Sequence, residues 1–201
     1  MTKMLFLPGA GASAAFWRSV ADRLEPARAR HFFAWPGLGD EPHDPNVQGM
    51  DDLVGMVLAK LDEPADLIAQ SLGGFVALRA ALARPGRIRR LVLAATSAGI
   101  PMHDYGATDW RADYRREFPN AAAWITEDVK SREDVSSQLR SVRAPSLLLW
   151  GDADRISPPA IGHRLHQLLP NAELHIVRGG DHDLALTHAA GIAPMIAEHL
   201  R

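Results

Sequence analysis

Cysteine is absent from this 201-residue chain, which excludes disulfides, a thiol nucleophile and thiolate metal sites. The same absence suits a reducing compartment, so the expected location is cytoplasmic. An excess of one charge is missing as well. Basic and acidic residues number 22 and 24, a formal net charge of −2, and their even spread leaves no electrostatic footprint for nucleic acid. Long hydrophobic runs are also lacking: none approaches the roughly 20 apolar residues of a membrane span. Near the N-terminus, Pro8 and Gly9 interrupt the apolar run too early for a signal-peptide core. Neither nucleic acid nor membrane is an expected partner. A small molecule is.

What remains is an ordinary globular composition, 47% hydrophobic and 23% charged, in a length suited to one well-cored domain over residues 1–201. Short apolar runs alternate with segments of helical period. Met4–Leu7, His31–Ala34, Leu67–Ala69, Leu91–Ala94, Leu147–Trp150 and Leu174–Val177 read as strands. Ala14–Leu24, Met50–Leu61, Leu72–Ala83, Pro159–Leu169 and Leu184–Leu200 read as helices. Strands apolar on both faces, alternating with helices, imply an α/β fold: a predominantly parallel six-stranded sheet with helices on both faces. Ligands in such sheets bind beyond the carboxyl ends of the strands, so the turns that follow strands are where chemistry is expected.

Residues 99–143 break the alternation. They hold no good strand but carry Tyr105, Trp110, Tyr114, Phe118 and Trp124, and a segment of this length within a compact domain reads as a short helical lid. The plainer alternative is a surface excursion whose aromatics pack onto the body. Trp110, Tyr114 and Trp124 are the expected apolar wall of a substrate pocket, with His103 as a further contact.

Four turns carry chemistry. In IAQSLGGFVALRAALA, from Ile68, a strand ends, Ser71 follows in a tight turn, and a helix begins. That is the setting of a nucleophile elbow, which needs small residues two before and two after the nucleophile. Ala69 and Gly73 meet the need as A-x-S-x-G; the competing reading makes Ser71 a helix N-cap. LFLPGAGAS is a strand followed by a small-residue turn. With Leu72 after the nucleophile, Ala10 in that turn is the expected second backbone donor of an oxyanion hole. No G-K-[ST] follows these glycines, and no acidic ribose ligand follows the next strand, so a nucleotide site is not expected. SLLLWGDADRISPP places Asp152 and Asp154 after a strand, and LHIVRGGDHDLALTHA places His182 after another. Taken singly, each is also explicable as a capping, turn or surface residue. Together, Ser71, then an aspartate, then His182 is the order of nucleophile, acid and base in hydrolases of this architecture. His163 and His166 stand one helical turn apart with no third ligand apparent, so no metal is expected, and acyl transfer by these residues requires no cofactor.

LFLPGAGAS, HFFAWPGLGDEP, AQSLGG, LLLWGDADRISP and GGDHD, in that order, resemble the landmark segments of the α/β-hydrolase superfamily, over nearly the whole chain outside residues 99–143. The resemblance implies that Asp154 rather than Asp152 is the acid, since it is the later aspartate of the G-D-x-D-x-x-x-P turn. It aligns the N-terminal strand with the one that usually comes third, hence the six expected. Pro8 stands where many members carry a histidine, which leaves the Ala10 donor intact. The implied activity is hydrolysis of a small ester, lactone or thioester through an acyl-serine. The alternatives are C–C bond hydrolysis or lyase chemistry on the same triad, which Arg111, Arg115 and Arg116 would favour if turned inward, or a hydrolase-like ligand-binding protein.

Overall fold

Strands that are apolar at successive positions need cover on both faces. In the computed structural model, which describes residues 2–127 and 134–201, six parallel strands form one sheet and receive that cover. In chain order they are β1 (Lys3–Leu7), β2 (Arg30–Phe32), β3 (Ala65–Gln70), β4 (Ile88–Ala94), β5 (Ser146–Gly151) and β6 (Ala172–Val177). Their order in space is β2-β1-β3-β4-β5-β6. The chain therefore leaves β1 in one direction and continues from β3 in the other, and the crevice between these two strand ends is where such sheets bind ligands.

The helices are α1 (Arg18–Ala21), α2 (Met50–Ala59), α3 (Leu72–Ala83), α4 (Arg111–Glu117), α5 (Trp124–Glu127), α6 (Pro159–Leu168), α7 (Leu184–Thr187) and α8 (Ala189–His199). Strand side chains alternate between faces. Leu5, Leu7, Leu67, Ala69, Leu91, Leu93, Leu148 and Trp150 point to a core shared with α2, α3 and α6. Met4, Phe6, Ile68, Val92, Ala94, Leu147 and Leu149 point to one shared with α1, α7 and α8. Among the described residues, no helix is long and apolar enough to cross a membrane.

Three elements differ from the sequence reading. The strand expected at His31–Ala34 is Arg30–Phe32. The helix expected over Ala14–Leu24 shrinks to α1, because Phe16 and Arg18 close tight turns onto the carbonyls of Ser13 and Ala15 and the Trp17 indole donates to the Leu7 carbonyl at 3.1 Å. The helix expected over Leu184–Leu200 is interrupted at His188, whose ring contacts the Thr187 hydroxyl at 2.8 Å. Of the 99–143 segment, residues 128–133 lie outside the described residues. The rest comprises α4, α5 and two short 3₁₀ turns, Met102–Tyr105 and Ser136–Ser141.

The opposite edge of the sheet is held by charge. Asp66 of β3 is fully buried and ion-paired with Arg28 and Arg89. Arg89 also donates to the Leu200 carbonyl at 2.6 Å, so one carboxylate ties β3 to β4, to the end of α8 and to the segment before β2. Burial first, then the Arg90 charge, holds the His199 ring below its ordinary pKa. Removing Asp66 strands two partly buried guanidiniums. Asp66→Ala is expected to cost about 3–5 kcal/mol in urea unfolding. Ser71 lies roughly 16 Å further along the strand direction, so activity below the melting temperature should persist.

Candidate active site

Each turn at the carboxyl edge is shaped by a close backbone approach. β3 ends at Gln70, and Ser71 takes φ 51°, ψ −118°, a conformation that a residue with a Cβ holds only when its surroundings impose it. The surroundings here are specific. The Ser71 N–H donates to the Ala94 carbonyl at 2.9 Å, and its own carbonyl accepts from the Thr96 hydroxyl at 2.7 Å. Two residues on, a Cβ at Gly73 would sit 2.5 and 2.6 Å from the carbonyl oxygens of Leu7 and Pro8, so glycine is required where α3 passes β1. The sharp turn lifts the Ser71 hydroxyl above the sheet at the N-terminus of α3.

The Asp154 and His182 turns are built against each other. A Cβ at Gly151 would lie 2.0 Å from the Gly180 carbonyl oxygen, which brings the ends of β5 and β6 into direct contact. Asp152 Oδ1 accepts the Gly179 N–H at 2.6 Å and thereby closes this junction. Asp154 is buried, and its Oδ1 accepts N–H groups from Ile156 and Ser157 at 2.8 and 2.9 Å. Those two bonds fix the carboxylate so that Oδ2 meets His182 Nδ1 at 2.9 Å. The other ring nitrogen, Nε2, lies 3.1 Å from Ser71 Oγ. A carboxylate only accepts, so Nδ1 carries the proton and Nε2 is left to accept from the serine hydroxyl. Gln70, buried one residue before Ser71, donates to the His182 carbonyl at 3.1 Å and ties the His182 turn to β3.

Above this relay lies a cavity of about 560 Å³ whose floor includes Ser71 and His182. Both Ala10 and Leu72 line it. Leu72 opens α3, so its N–H is one of the first-turn donors that have no acceptor within the helix. The roof comes from the connection between β4 and β5. Trp110, Tyr114 and Phe118, spaced four apart across α4 and its two capping residues, meet as a T-shaped pair with centroids 5.4 Å apart and a tilted pair 5.0 Å apart, and all three line the cavity. On the rim stand Asp113, Glu117 and Asp183, and among the described lining residues there is no lysine or arginine. Enclosure raises the Asp183 pKa, with Asp181 and Asp154 adding to the rise and His182 opposing it.

Two residues expected at the pocket are elsewhere. The His103 side chain is 82% exposed and pairs with Asp104, while its neighbour Met102 faces the cavity. Trp124 packs, half buried, against the core on the α3 side, and Ile125 takes the place in the wall that was expected of it. Arg111 and Arg116 pair with Asp109 and Asp113, and none of Arg111, Arg115 and Arg116 lines the cavity. Gln70 was missed by sequence reasoning. Its only signal was a polar residue directly after the apolar run Leu67–Ala69.

The sequence matches the alpha/beta hydrolase family over residues 4–195. It is 27% identical to a pimeloyl-acyl-carrier-protein methyl ester esterase of Neisseria meningitidis serogroup C, with 96% of this chain and 91% of the relative aligned. It is likewise 27% identical to a 2-hydroxy-6-oxononadienedioate/2-hydroxy-6-oxononatrienedioate hydrolase of Cupriavidus pinatubonensis, with 98% and 86% aligned. Among solved structures, naproxen esterase from Bacillus subtilis superposes with a TM-score of 0.79 at 19% identity over 100% of this chain and 84% of its own, a likeness of fold.

The Asp183 carboxyl gives a pH signature. Its folded pKa is raised above the ordinary 3.8, so the folded state binds this proton more tightly than the unfolded chain. Stability from this group is thus greatest in acid and is lost as pH rises through the folded value. Asp183→Asn is expected to raise the melting temperature at pH 7, with the gain shrinking as pH falls towards 3.8. A gain that is constant across that range in thermal scans would mean the carboxyl is unperturbed.

Proposed function

The chain belongs to the alpha/beta hydrolase family, and from that membership we propose that it is a serine hydrolase of small uncharged carboxylic esters, lactones or thioesters, working through an acyl-enzyme. The observation that carries this reading is the unbroken relay from Ser71 Oγ through His182 to Asp154 beneath a largely apolar cavity. His182 Nε2 takes the hydroxyl proton as Ser71 Oγ attacks the substrate carbonyl carbon. The carbonyl oxygen becomes an oxyanion facing the N–H groups of Ala10 and Leu72. Collapse expels the alcohol or thiol, which receives its proton from His182, and leaves acyl-Ser71. Water then attacks the acyl carbon with His182 again as base, and Ser71 regains its proton. Asp154 remains ionised throughout; it holds the imidazole tautomer and stabilises the imidazolium.

Charge around the cavity separates this reading from its nearest rival. The Cupriavidus relative is named for dicarboxylates. A dianion entering this cavity meets Asp113, Glu117 and Asp183, and no described cation lines its path. Neutral acyl groups meet no such opposition, and the apolar roof residues of α4 offer them contact. Thus ester cleavage is favoured over cleavage of a carboxylated diketone.

Ser71→Ala is expected to abolish turnover of p-nitrophenyl acetate with the fold intact, and a fluorophosphonate should label Ser71 in the unaltered protein. Asp154→Asn should cost on the order of 10⁴-fold in kcat, as loss of the triad acid does elsewhere. Asp152→Asn should cost less than about tenfold, since an amide oxygen still accepts from Gly179 and the effect reaches the site only through turn geometry. Labelling at Ser13 or Ser157, or equal losses at the two aspartates, refutes the assignment.

A panel of p-nitrophenyl esters checks the lid and the charge together. Trp110→Ala should shift the ranking of acetyl, butyryl and octanoyl esters by roughly 1–3 kcal/mol of differential transition-state binding. Trp124→Ala should leave the ranking as it is. The carboxylate-tipped succinyl ester should react at least about tenfold more slowly than butyryl at low salt, with the gap narrowing as salt is added. A succinyl ester that matches or outruns butyryl rejects the uncharged substrate class.

A further inference from the structure

The turn that carries the Ala10 N–H is rich in small residues and has little to hold its shape by itself. Its carbonyls are instead held by aromatic donors reaching in from three directions. The Trp17 indole donates to the Leu7 carbonyl at 3.1 Å and the Trp35 indole to the Pro8 carbonyl at 2.8 Å, both buried. The Gly9 carbonyl turns back onto the Ala12 N–H at 3.3 Å. The Tyr114 hydroxyl donates to the Ala10 carbonyl at 3.1 Å and accepts the Gly39 N–H at 2.8 Å. In a planar trans peptide the N–H points opposite the C=O. Drawing the Gly9 carbonyl into the turn therefore turns the Ala10 N–H away from it, and fastening the Ala10 carbonyl fixes the far side of the same residue.

The three aromatic anchors differ in origin. Trp17 and Trp35 stand beside β1 and β2, whereas Tyr114 is carried by α4 in the connection between β4 and β5. That connection is fastened alongside the turn at further points. The Ala122 N–H donates to the Gly37 carbonyl at 2.7 Å, and His43 Nε2 meets the Asn120 carbonyl at 2.7 Å. Phe118 closes over Gly11, where an added Cβ would lie 2.9 Å from its ring. Burial, the largest influence, raises the Tyr114 phenol pKa, so the hydroxyl stays protonated and able to donate.

Resting on the acyl-transfer reading above, we propose that Tyr114 is a positioning residue for the oxyanion donor: its hydroxyl holds the Ala10 turn in shape, so the full rate of acyl transfer requires the β4–β5 connection to be seated. Tyr114 touches no reacting atom. It acts through the Ala10 peptide, and its effect falls on the transition state, where the oxyanion exists, rather than on ester binding.

The test is Tyr114→Phe, which keeps the ring in the wall and removes only the hydroxyl. With p-nitrophenyl acetate, kcat is expected to fall roughly tenfold with KM within about twofold, less than the 10²–10³ that follows loss of a direct oxyanion donor. Affinity for a small trifluoromethyl ketone, which Ser71 converts to a tetrahedral oxyanion adduct, should fall by the same factor as kcat/KM. Unchanged kcat and ketone affinity in an active enzyme overturn the inference alone. An unaltered protein that neither turns over the ester nor binds the ketone overturns the acyl-transfer reading, and the inference with it. Should Tyr114→Phe fold poorly, ring-fluorinated tyrosine supplies a second variant, because the chain has only two tyrosines and Tyr105→Phe leaves Tyr114 as the single label site. Fluorination lowers the phenol pKa, and a phenolate cannot donate to a carbonyl. The rate should then decline on the alkaline side at lower pH than in Tyr105→Phe with ordinary tyrosine. Coincident pH profiles overturn the inference.

Discussion

At Gly73 the first turn of α3 lies directly against the carbonyls of Leu7 and Pro8, and at Gly151 the end of β5 lies directly against the carbonyl of Gly180. These two approaches of backbone on backbone set the distances above the sheet. The first brings the Ser71 turn beside the Ala10 turn, so that segments following separate strands border one cavity. The second brings the Asp154 turn against the His182 turn, so that a short carboxylate side chain reaches the imidazole across two strands. Side chains larger than hydrogen at either place would push apart the segments on which the relay depends. The hydrogen bonds of the relay are the visible chemistry, yet their lengths follow from these contacts.

Much of this was legible in the sequence, for identifiable reasons. Buried parallel strands must be apolar on both faces, and turns that pack backbone on backbone must use glycine or alanine, so the six strands, the A-x-S-x-G elbow and the two later turns all stood out. What stayed hidden was decided by tertiary contacts. Ala14–Leu24 has a helical pattern, but the bond from Trp17 to Leu7 and the tight turns before it leave helix only at Arg18–Ala21. Trp110 and Trp124 look equivalent in sequence. Trp110 shares a helical face with Tyr114 and Phe118 above the cavity, while Trp124 begins a separate short helix and packs on the core. Gln70 and the Tyr114 hydroxyl were beyond sequence reasoning, because each partner is a backbone carbonyl more than a hundred residues away.

Charge is divided between the two edges of the sheet. At the amino edge, Asp66 is matched by Arg28 and Arg89, a charge-paired network that fastens the terminal helix. At the carboxyl edge, the carboxylates of the rim have no described cation facing the cavity. The positive potential at the floor comes from backbone: the first-turn N–H groups of α3 and the positive end of its helix dipole. Such a field is local. On the proposed acyl-transfer reading, it favours negative charge that develops on one carbonyl oxygen at the floor, while the rim disfavours molecules that arrive already anionic. On that reading, the site discriminates between charge made in the reaction and charge brought to it.

The segment between β4 and β5 adds an apolar roof, but its contacts extend past roofing. α4 and its two capping residues supply three aromatic rings to the cavity wall, and the middle one ends in a hydroxyl bonded to the Ala10 turn and to Gly39. A phenylalanine would fill the same wall. What tyrosine adds is a donor and an acceptor at a point where a buried N–H and a carbonyl would otherwise lack partners. The cavity wall and the Ala10 turn are therefore joined, through the Tyr114 hydroxyl and through the closure of Phe118 over Gly11. A change that moves the Tyr114 ring reaches the cavity wall and the Ala10 turn together, whereas loss of the hydroxyl alone reaches only the turn.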